Sequence, residues 1–408
     1  MKRILLFKTI LLLLHPFCLI AQEESKAGRI SPKELSIPAS PVFDLMAVTP
    51  SQVTRTSDIK DFKVDWSFKS WRLNPNLAVQ GQPIWELFYN RKELTKYQQA
   101  SPLMRRLSSL DVSIGTVQNE DNDRRIGFAT KINLYKAKDP LYEKELYTDI
   151  EKKFREEKAT LEKELLALQL QLDTISDILQ KPGIRTQIAT TNEQLLSLNS
   201  RRREEINGRA SIFVAENWNA SSLDLAFGRV YTYSTDSAGT LKNLKLNRNT
   251  GWALWLNGGF GIGKKILVTG LLRSTWYEES LDFLLRNKIT EEELSQQAVA
   301  ENRLHTIGLN LRYGGPIYNF FVEFLYEKKA LKQPIEALSE AFEVPSEDFE
   351  VVASSVKWTT VHPNSFSFGG DWRISRNVII NYGMRCVFNK DWKFETFTPV
   401  VSIACMMR

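Results

Sequence analysis

Few side chains in this sequence could do covalent or metal chemistry, and their spacing argues against it. The 408 residues hold three histidines and three cysteines. His15 and Cys18 lie in an N-terminal apolar run, which leaves His305, His362, Cys386 and Cys405. Neither histidine is spaced from the other, or from a cysteine, in a way that would put two ligands on one metal ion. No metal and no cofactor is expected. The stretch "GGFGIGKK", Gly258–Lys265, superficially resembles a phosphate loop, but it lacks the closing Ser or Thr and leads into apolar alternation rather than a helix. No motif marks a nucleophile beside either histidine, so no catalytic residue is assigned and a non-enzyme is expected. A hairpin centred near residue 390 would pair Cys386 with a position around 394, well short of Cys405, so no disulfide is expected.

What the chain carries instead is a long series of charged and amide side chains that alternate with apolar ones. In "RRIGFATKINLYK", Arg124–Lys136, Ile126, Phe128, Ile132 and Leu134 fall on even positions, while Gly127, Ala129, Lys131 and Asn133 fall on odd ones. That two-residue period is a strand with one apolar face. Further on, Ile307, Leu309, Leu311 and Tyr313 oppose Gly308, Asn310 and Arg312; across "GGP", Tyr318, Phe320, Val322 and Phe324 oppose Asn319 and Glu323. The same reading puts Gln80, Gln82, Glu86, Asp111, Asp224, Asn257, Asp371, Arg373, Asn381 and Arg385 on the polar faces as well. Both signs of charge are present. A space lined by them could be a water-filled passage for small polar solutes, or could be crossed by internal ion pairs.

The elements that must position these residues are strands. The alternation recurs near 77–88, 107–117, 124–136, 209–218, 222–234, 250–262, 266–277, 303–313, 317–328, 354–373, 377–388 and 392–405, which makes twelve. Between them the connections run long, short, long, short, with 389–391 the exception. Long loops at one end, short turns at the other and an even strand number are the marks of a closed antiparallel transmembrane barrel of the outer-membrane type. Such a sheet must close, since an open edge in lipid leaves backbone groups unpaired. Trp85, Trp218, Tyr231, Tyr233, Trp252, Trp276, Tyr313, Tyr318, Tyr326 and Trp372 lie mostly near strand ends, where interfacial girdles are expected. A hydrophobic content of 43% with a mean hydropathy of -0.28 excludes both a disordered chain and a bundle of membrane helices.

Residues 1–21, "MKRILLFKTILLLLHPFCLIA", have the basic start, apolar core and polar boundary of a secretory signal peptide. Its removal takes away Lys2, Arg3 and Lys8 and lowers the formal charge from +6 to about +3, too little to suggest nucleic acid. The expected location is the outer membrane of a Gram-negative bacterium, with the lipid bilayer as the first partner.

Residues 140–206 break the two-residue period. Phe154, Leu161, Leu165, Leu168, Leu172, Ile175 and Leu179 follow a 3,4 spacing interrupted only by Lys158, and a second helical pattern follows through Ile184, Ile188, Leu195 and Ile206. "KPG" at 181–183 is read as the stop between them. The expectation is an antiparallel helical hairpin, two helices of ~25 residues reaching ~35–40 Å, in a long and extracellular loop. Its leucine seam would hold the helices together or dock a surface or envelope protein.

Residues 22–76 are read as a periplasmic or lumen-plugging segment ahead of a barrel at 77–408; the aromatic and basic Asp61–Asn76 could be a periplasmic strand, an extra barrel strand or a plug, with insertion into the lumen favoured. "SPVFDLMAVTPSQVTR", Ser40–Arg55, together with "GGDWRISRN" at 369–377 and Gln22 after the cleavage site, resembles uncharacterised outer-membrane barrel proteins of the Bacteroidetes type. The resemblance implies a barrel and brings no activity. The leading functional reading is a channel for small polar solutes or a subunit of an envelope transport machine. One alternative makes the barrel an anchor that presents the hairpin as an interaction or adhesion module; another is an outer-membrane hydrolase.

Overall fold

The computed structural model describes residues 40–53, 62–69, 76–89, 97, 99–118, 123–140, 143, 145–175, 180–235, 240–247, 250–331, 348–354, 362–375 and 377–407. Fourteen strands appear among them. These are β1 Phe62–Lys69, β2 Asn76–Gly81, β3 Asp111–Gln118, β4 Arg124–Lys136, β5 Ser222–Thr235, β6 Leu241–Lys245, β7 Gly251–Ile262, β8 Ile266–Asn287, β9 Glu293–Gly314, β10 Tyr318–Leu331, β11 Phe349–Ser354, β12 Asn364–Arg373, β13 Val378–Phe388 and β14 Phe394–Met407. Twelve close into an antiparallel ring in the order β1-β2-β3-β4-β5-β7-β8-β9-β10-β12-β13-β14, and β14 pairs back onto β1 from Phe62↔Met407 to Lys69↔Val400. β6 adds to β5 and β11 to β8 outside the ring.

Alternation sets the two surfaces of this ring. On β10, Tyr318, Phe320, Val322, Phe324 and Tyr326 point outward and are exposed, while Asn319, Phe321, Glu323 and Leu325 are buried inside. From Tyr318 to Tyr326 the strand rises about 3.3 Å per residue, so with a tilt near 40° the two tyrosines stand roughly 20 Å apart along the barrel axis. That matches an apolar band bounded by aromatic rows. Tyr313, Tyr318 and Trp372 stand on one row and Trp276 and Tyr326 on the other, all exposed. Trp252 stacks on Phe227 beside the second row. Trp85 and Trp218, expected in these girdles, are instead buried in connections at one end of the ring.

Two corrections to the expected strand set cancel in the count. Residues 209–218 are not a strand. They close helix α5, Lys181–Glu216, because Ile206 and Ala210, four apart, are the buried pair and a helix puts both on one face. Conversely, of the stretch Asp61–Asn76, Phe62–Lys69 does not plug the lumen: it is β1, a wall strand, with Lys63, Asp65 and Ser67 facing in. Twelve strands remain, but the ends to which their connections belong change. Consecutive ring strands are antiparallel, so connections alternate between the ends. The start of β1, the end of β14, the tight turns 263–265, 315–317 and 374–377, and the connections 82–110 and 137–221 share one end, here the near end. The far end carries the junctions of β1 with β2, β3 with β4, β5 with β7, β10 with β12 and β13 with β14. It also carries the β8–β9 ribbon, which continues about ten residues beyond Tyr277 and turns at 288–292 where a loop is expected. The expected long–short rhythm rested on the extra strand at 209–218.

Other boundaries move for local reasons. β2 ends at Gly81 because Pro83 opens a short helix, α2 Pro83–Leu87. β3 begins at Asp111, after helix α3, Pro102–Leu107, whose Ser101 side chain accepts from the Met104 N–H. The expected strand 354–373 divides into β11 and β12. The hairpin comprises α4, Glu145–Thr174, and α5. "KPG" begins α5 rather than ending α4, since a proline in the first turn removes no helical hydrogen bond. At 30 and 36 residues the helices reach about 45 and 54 Å. The hairpin's base is tied to the near end: Trp218 Nε1 donates to the Lys264 carbonyl at 2.8 Å and Asn219 Nδ2 to those of Gly263 and Ile266 at 2.9 and 2.8 Å.

Candidate functional site

The ring is not empty. Residues 40–53 run inside it, and their short helix, α1 Pro41–Leu45, packs on β3, β4 and β5. Val42, Phe43, Met46, Val48 and Val53 are fully buried against inward-facing Ala78, Ala129, Ala226, Ala253 and Leu325. Small wall residues make the room. A Cβ on Gly127 would stand 2.7 Å from Met46 Cε, and one on Gly308 would stand 2.5 Å from Val53 Cγ2. Those glycines occupy the polar-face positions of the alternating pattern.

Polar groups fix this segment to the wall. Glu323 on β10 accepts from Ser51 Oγ at 2.6 Å, from the Gln52 and Val53 N–H groups at 3.0 and 2.9 Å, and from Asn310 Nδ2 at 3.1 Å. A buried carboxylate holding that many donors is well compensated. Ser40 bonds to Asp65, the Val42 N–H to Ser113 Oγ at 3.1 Å, and Ser67 to the Val48 carbonyl. Three arginines reach the segment's carbonyl oxygens from the far-end side. Arg125 contacts Met46 at 3.0 Å, Arg273 contacts Asp44 at 3.2 Å, and Arg385 contacts Ala47 and Thr49 at 3.4 and 2.9 Å. With Asn310 Nδ2 also donating to Ser51 Oγ at 3.1 Å, strands β1, β3, β4, β8, β9, β10 and β13 all hold the segment.

Elsewhere the lumen wall pairs its own charges. Lys131 stands 3.4 Å from Asp111 and 3.5 Å from Asp224, and Asn133 Nδ2 donates to Asp224 at 2.6 Å. Lys63 pairs with Asp65 at 2.9 Å, both buried. Arg312 bonds to Asp371 and, at 3.1 Å, to Asn319.

Of the residues expected to line the lumen, Asp111, Lys131, Asn133, Asn310, Arg312, Glu323, Asp371 and Arg385 stand on inward positions in these contacts. Gln82 is buried at the near end, one residue past β2. Glu86 belongs to α2 rather than to the wall, and its side chain lies outside the described residues. Arg373 is at the near-end rim, where its Nε donates to the Ser375 carbonyl at 3.1 Å. Arg125, Arg273, Lys63 and Asp65 were missed. Arg125 shares the odd-numbered face with Lys131 and was legible; Arg273 was hidden because both faces of β8 carry leucines, Leu271 inside and Leu272 outside.

In the hairpin, Phe154 and Leu161 of the expected seam are buried and pack with Tyr147, Ile150, Leu198, Ile206 and Ala210. Leu165, Leu168, Leu172 and Ile175 are half-buried, and Leu179 lies outside the described residues. His362 Nδ1 is 3.0 Å from Glu395 Oε2. His305 Nδ1 is 3.0 Å from Ser274 Oγ, a cross-strand contact on the outward face. Among the described residues Cys386 and Cys405 form no disulfide; the register sets Cys386 beside Phe397 and Cys405 beside Val378.

No protein-family model and no curated protein matches the sequence. Similar solved structures include the NanC porin, at 6% identity and a TM-score of 0.31, covering 85% of this chain and 99% of that one. The translocator domain of the autotransporter NalP from Neisseria meningitidis superposes at 8% identity and a TM-score of 0.31, over 85% and 88% of the two chains. Omp33 from Acinetobacter baumannii does so at 8% and 0.28, over 85% and 97%. The closed ring, its apolar exterior with two aromatic rows, and its polar interior make the chain an outer-membrane β-barrel protein embedded in the bilayer, with a lumen occupied by its own residues 40–53.

Proposed function

We propose that the protein is a gated outer-membrane channel, or the channel subunit of an envelope transport machine, in which residues 40–53 are the plug. The observation that carries this reading is the Glu323 carboxylate, which gathers Ser51, Gln52 and Val53 through three bonds. Competition for those bonds would loosen the 51–53 end of the plug, while Val42, Phe43, Met46 and Val48 hold the rest by apolar packing.

The test is conductance in planar bilayers. The full-length protein is expected to stay closed, and a variant lacking residues 40–53 is expected to conduct. The deletion must stop short of β1, because removing residues through 76 would take out a wall strand. A folded Δ40–53 barrel that stays silent would end the channel reading.

A second reading, the barrel as anchor for the hairpin, is favoured by Leu166, Leu170 and Leu196, which are 59%, 59% and 80% exposed on α4 and α5. Tight turns in such barrels face the periplasm. The near end carries three of them together with both ends of the ring, so we place the hairpin in the periplasm, where its partner would be an envelope protein rather than a surface ligand. The Ser274–His305 contact is what a hydrolase reading would rest on; no carboxylate is bonded to that imidazole among the described residues.

A further inference from the structure

On the far-end side of the plug a cavity of ≈ 410 Å³ lies between the plug and the wall, within the size range of small-molecule sites. Its floor is formed by Leu45, Met46, Ala47 and Gln52 of the plug, and its walls bring Arg125, Arg273 and Arg385 together from three strands. Each arginine is more than nine-tenths buried. A guanidinium offers five donors and is matched best by a carboxylate or phosphate. Among the described residues, however, Arg125 donates one bond and Arg385 two, all to neutral carbonyl oxygens of the plug. Arg273 adds Gln52 Oε1 at 2.8 Å.

Glu323, beneath the floor, is committed to the plug's donors. Glu327 lines the cavity and accepts from Thr306 at 3.4 Å, and His362 at the rim faces Glu395. Among the described residues Arg125 and Arg385 form no ion pair, and their bonds go to plug carbonyl oxygens. Between the arginines the walls are apolar, with Leu304, Leu325 and Val387.

We propose that this cavity is a binding site for a small organic acid, its carboxylate set between the Arg125 and Arg385 guanidiniums, whose Nε atoms are buried without a hydrogen-bond partner, and its body against the apolar wall. This deepens the channel reading: the solute would sit on the plug and compete with the plug's carbonyl oxygens for Arg125 and Arg385, loosening the segment it is to pass. Binding is measured on the closed protein without any conductance, so failure of one claim is distinguishable from failure of the other.

The experiment is calorimetric titration of the full-length protein in zwitterionic detergent, with benzoate as probe and benzamide as its neutral isostere. Benzoate is expected to bind saturably, at one site and at least ~10-fold more tightly than benzamide, because only the carboxylate meets charge-assisted donors. Arg125→Gln and Arg385→Gln should each weaken benzoate ~10-fold or more and leave benzamide unchanged, with Arg385→Lys keeping part of the affinity. Equal binding of the two probes by the unaltered protein overturns the proposal whether or not the variants fold. Benzoate affinity unchanged in both folded Gln variants overturns it too.

Discussion

Lys131 stands between two buried carboxylates, Asp111 and Asp224, at 3.4 and 3.5 Å. In the low-dielectric interior such a cluster is stable only as a set, because removing the cation leaves two like charges facing each other without water. Lys131→Met is therefore expected to cost about 3–5 kcal/mol, seen as a lower midpoint in guanidinium unfolding of the micelle-bound barrel. Adding Asp111→Asn and Asp224→Asn to that variant should recover most of the loss. A single Met variant as stable as the parent would show that the cluster is solvated. Asp111 and Lys131 could be read from the sequence because each sits on the polar side of a regular alternation. Their pairing could not, since it depends on the register Asp111↔Lys131 across β3 and β4 and Lys131↔Ala226 across β4 and β5.

At the scale of the element, the hairpin offers two explanations for its cohesion. Four ion pairs cross between α4 and α5: Asp149–Arg209, Glu151–Arg202, Lys153–Glu205 and Glu157–Arg201. All are at least partly exposed, and on a solvated surface the attraction of such pairs is nearly cancelled by screening and by the entropy of fixing two long side chains. The buried seam of Phe154, Leu161 and Leu198 contributes more, since burying one such side chain stabilises by about 1.5–3 kcal/mol. Leu198→Asp is accordingly expected to raise hydrogen exchange across 147–165 and 195–213 by ~100-fold or more, and Arg201→Gln by less than ~5-fold. Equal effects would mean that the seam does not hold the pair together. The Arg209 hydrogen bond keeps the Asp149 carboxyl below its ordinary value of 3.8. With a depressed value in the folded state, that small contribution is complete at neutral pH and disappears only as pH falls below about 3.8. The heptad positions and the hairpin were visible in the sequence. The end of α5 was not, because residues 209–218 contain enough alternating apolar residues to imitate a short strand, and only the contact of Ala210 with α4 decides in favour of helix.

For the molecule as a whole, the parity of the ring makes a claim about sidedness. If the near end faces the periplasm, a cysteine at Gln180, at the hairpin tip, is reached by a large PEG-maleimide only after the outer membrane is permeabilised. One at Ile289, on the β8–β9 ribbon and 84% exposed, is labelled in intact cells. The opposite pattern would invert the barrel and return the hairpin to the cell surface. Cys386, half-exposed on the outward face, and Cys405, buried, are replaced by serine in this experiment.

Alternation and heptad spacing are local properties, set by backbone geometry that each residue shares with its near neighbours, and they alone determined that this chain is a barrel with a helical hairpin and an oily exterior. Which strand closes the ring, which end carries the hairpin, and what fills the middle depend on contacts between residues far apart in sequence. Phe62–Lys69 was free to be a plug or a wall until β14 was there to pair with it. Ser40–Val53 has no periodicity that would mark it as an interior element. It becomes one because glycines and alanines on the wall leave space and because Glu323, some 270 residues away, presents a carboxylate to its amides. That match of shape and charge exists only once the ring has closed.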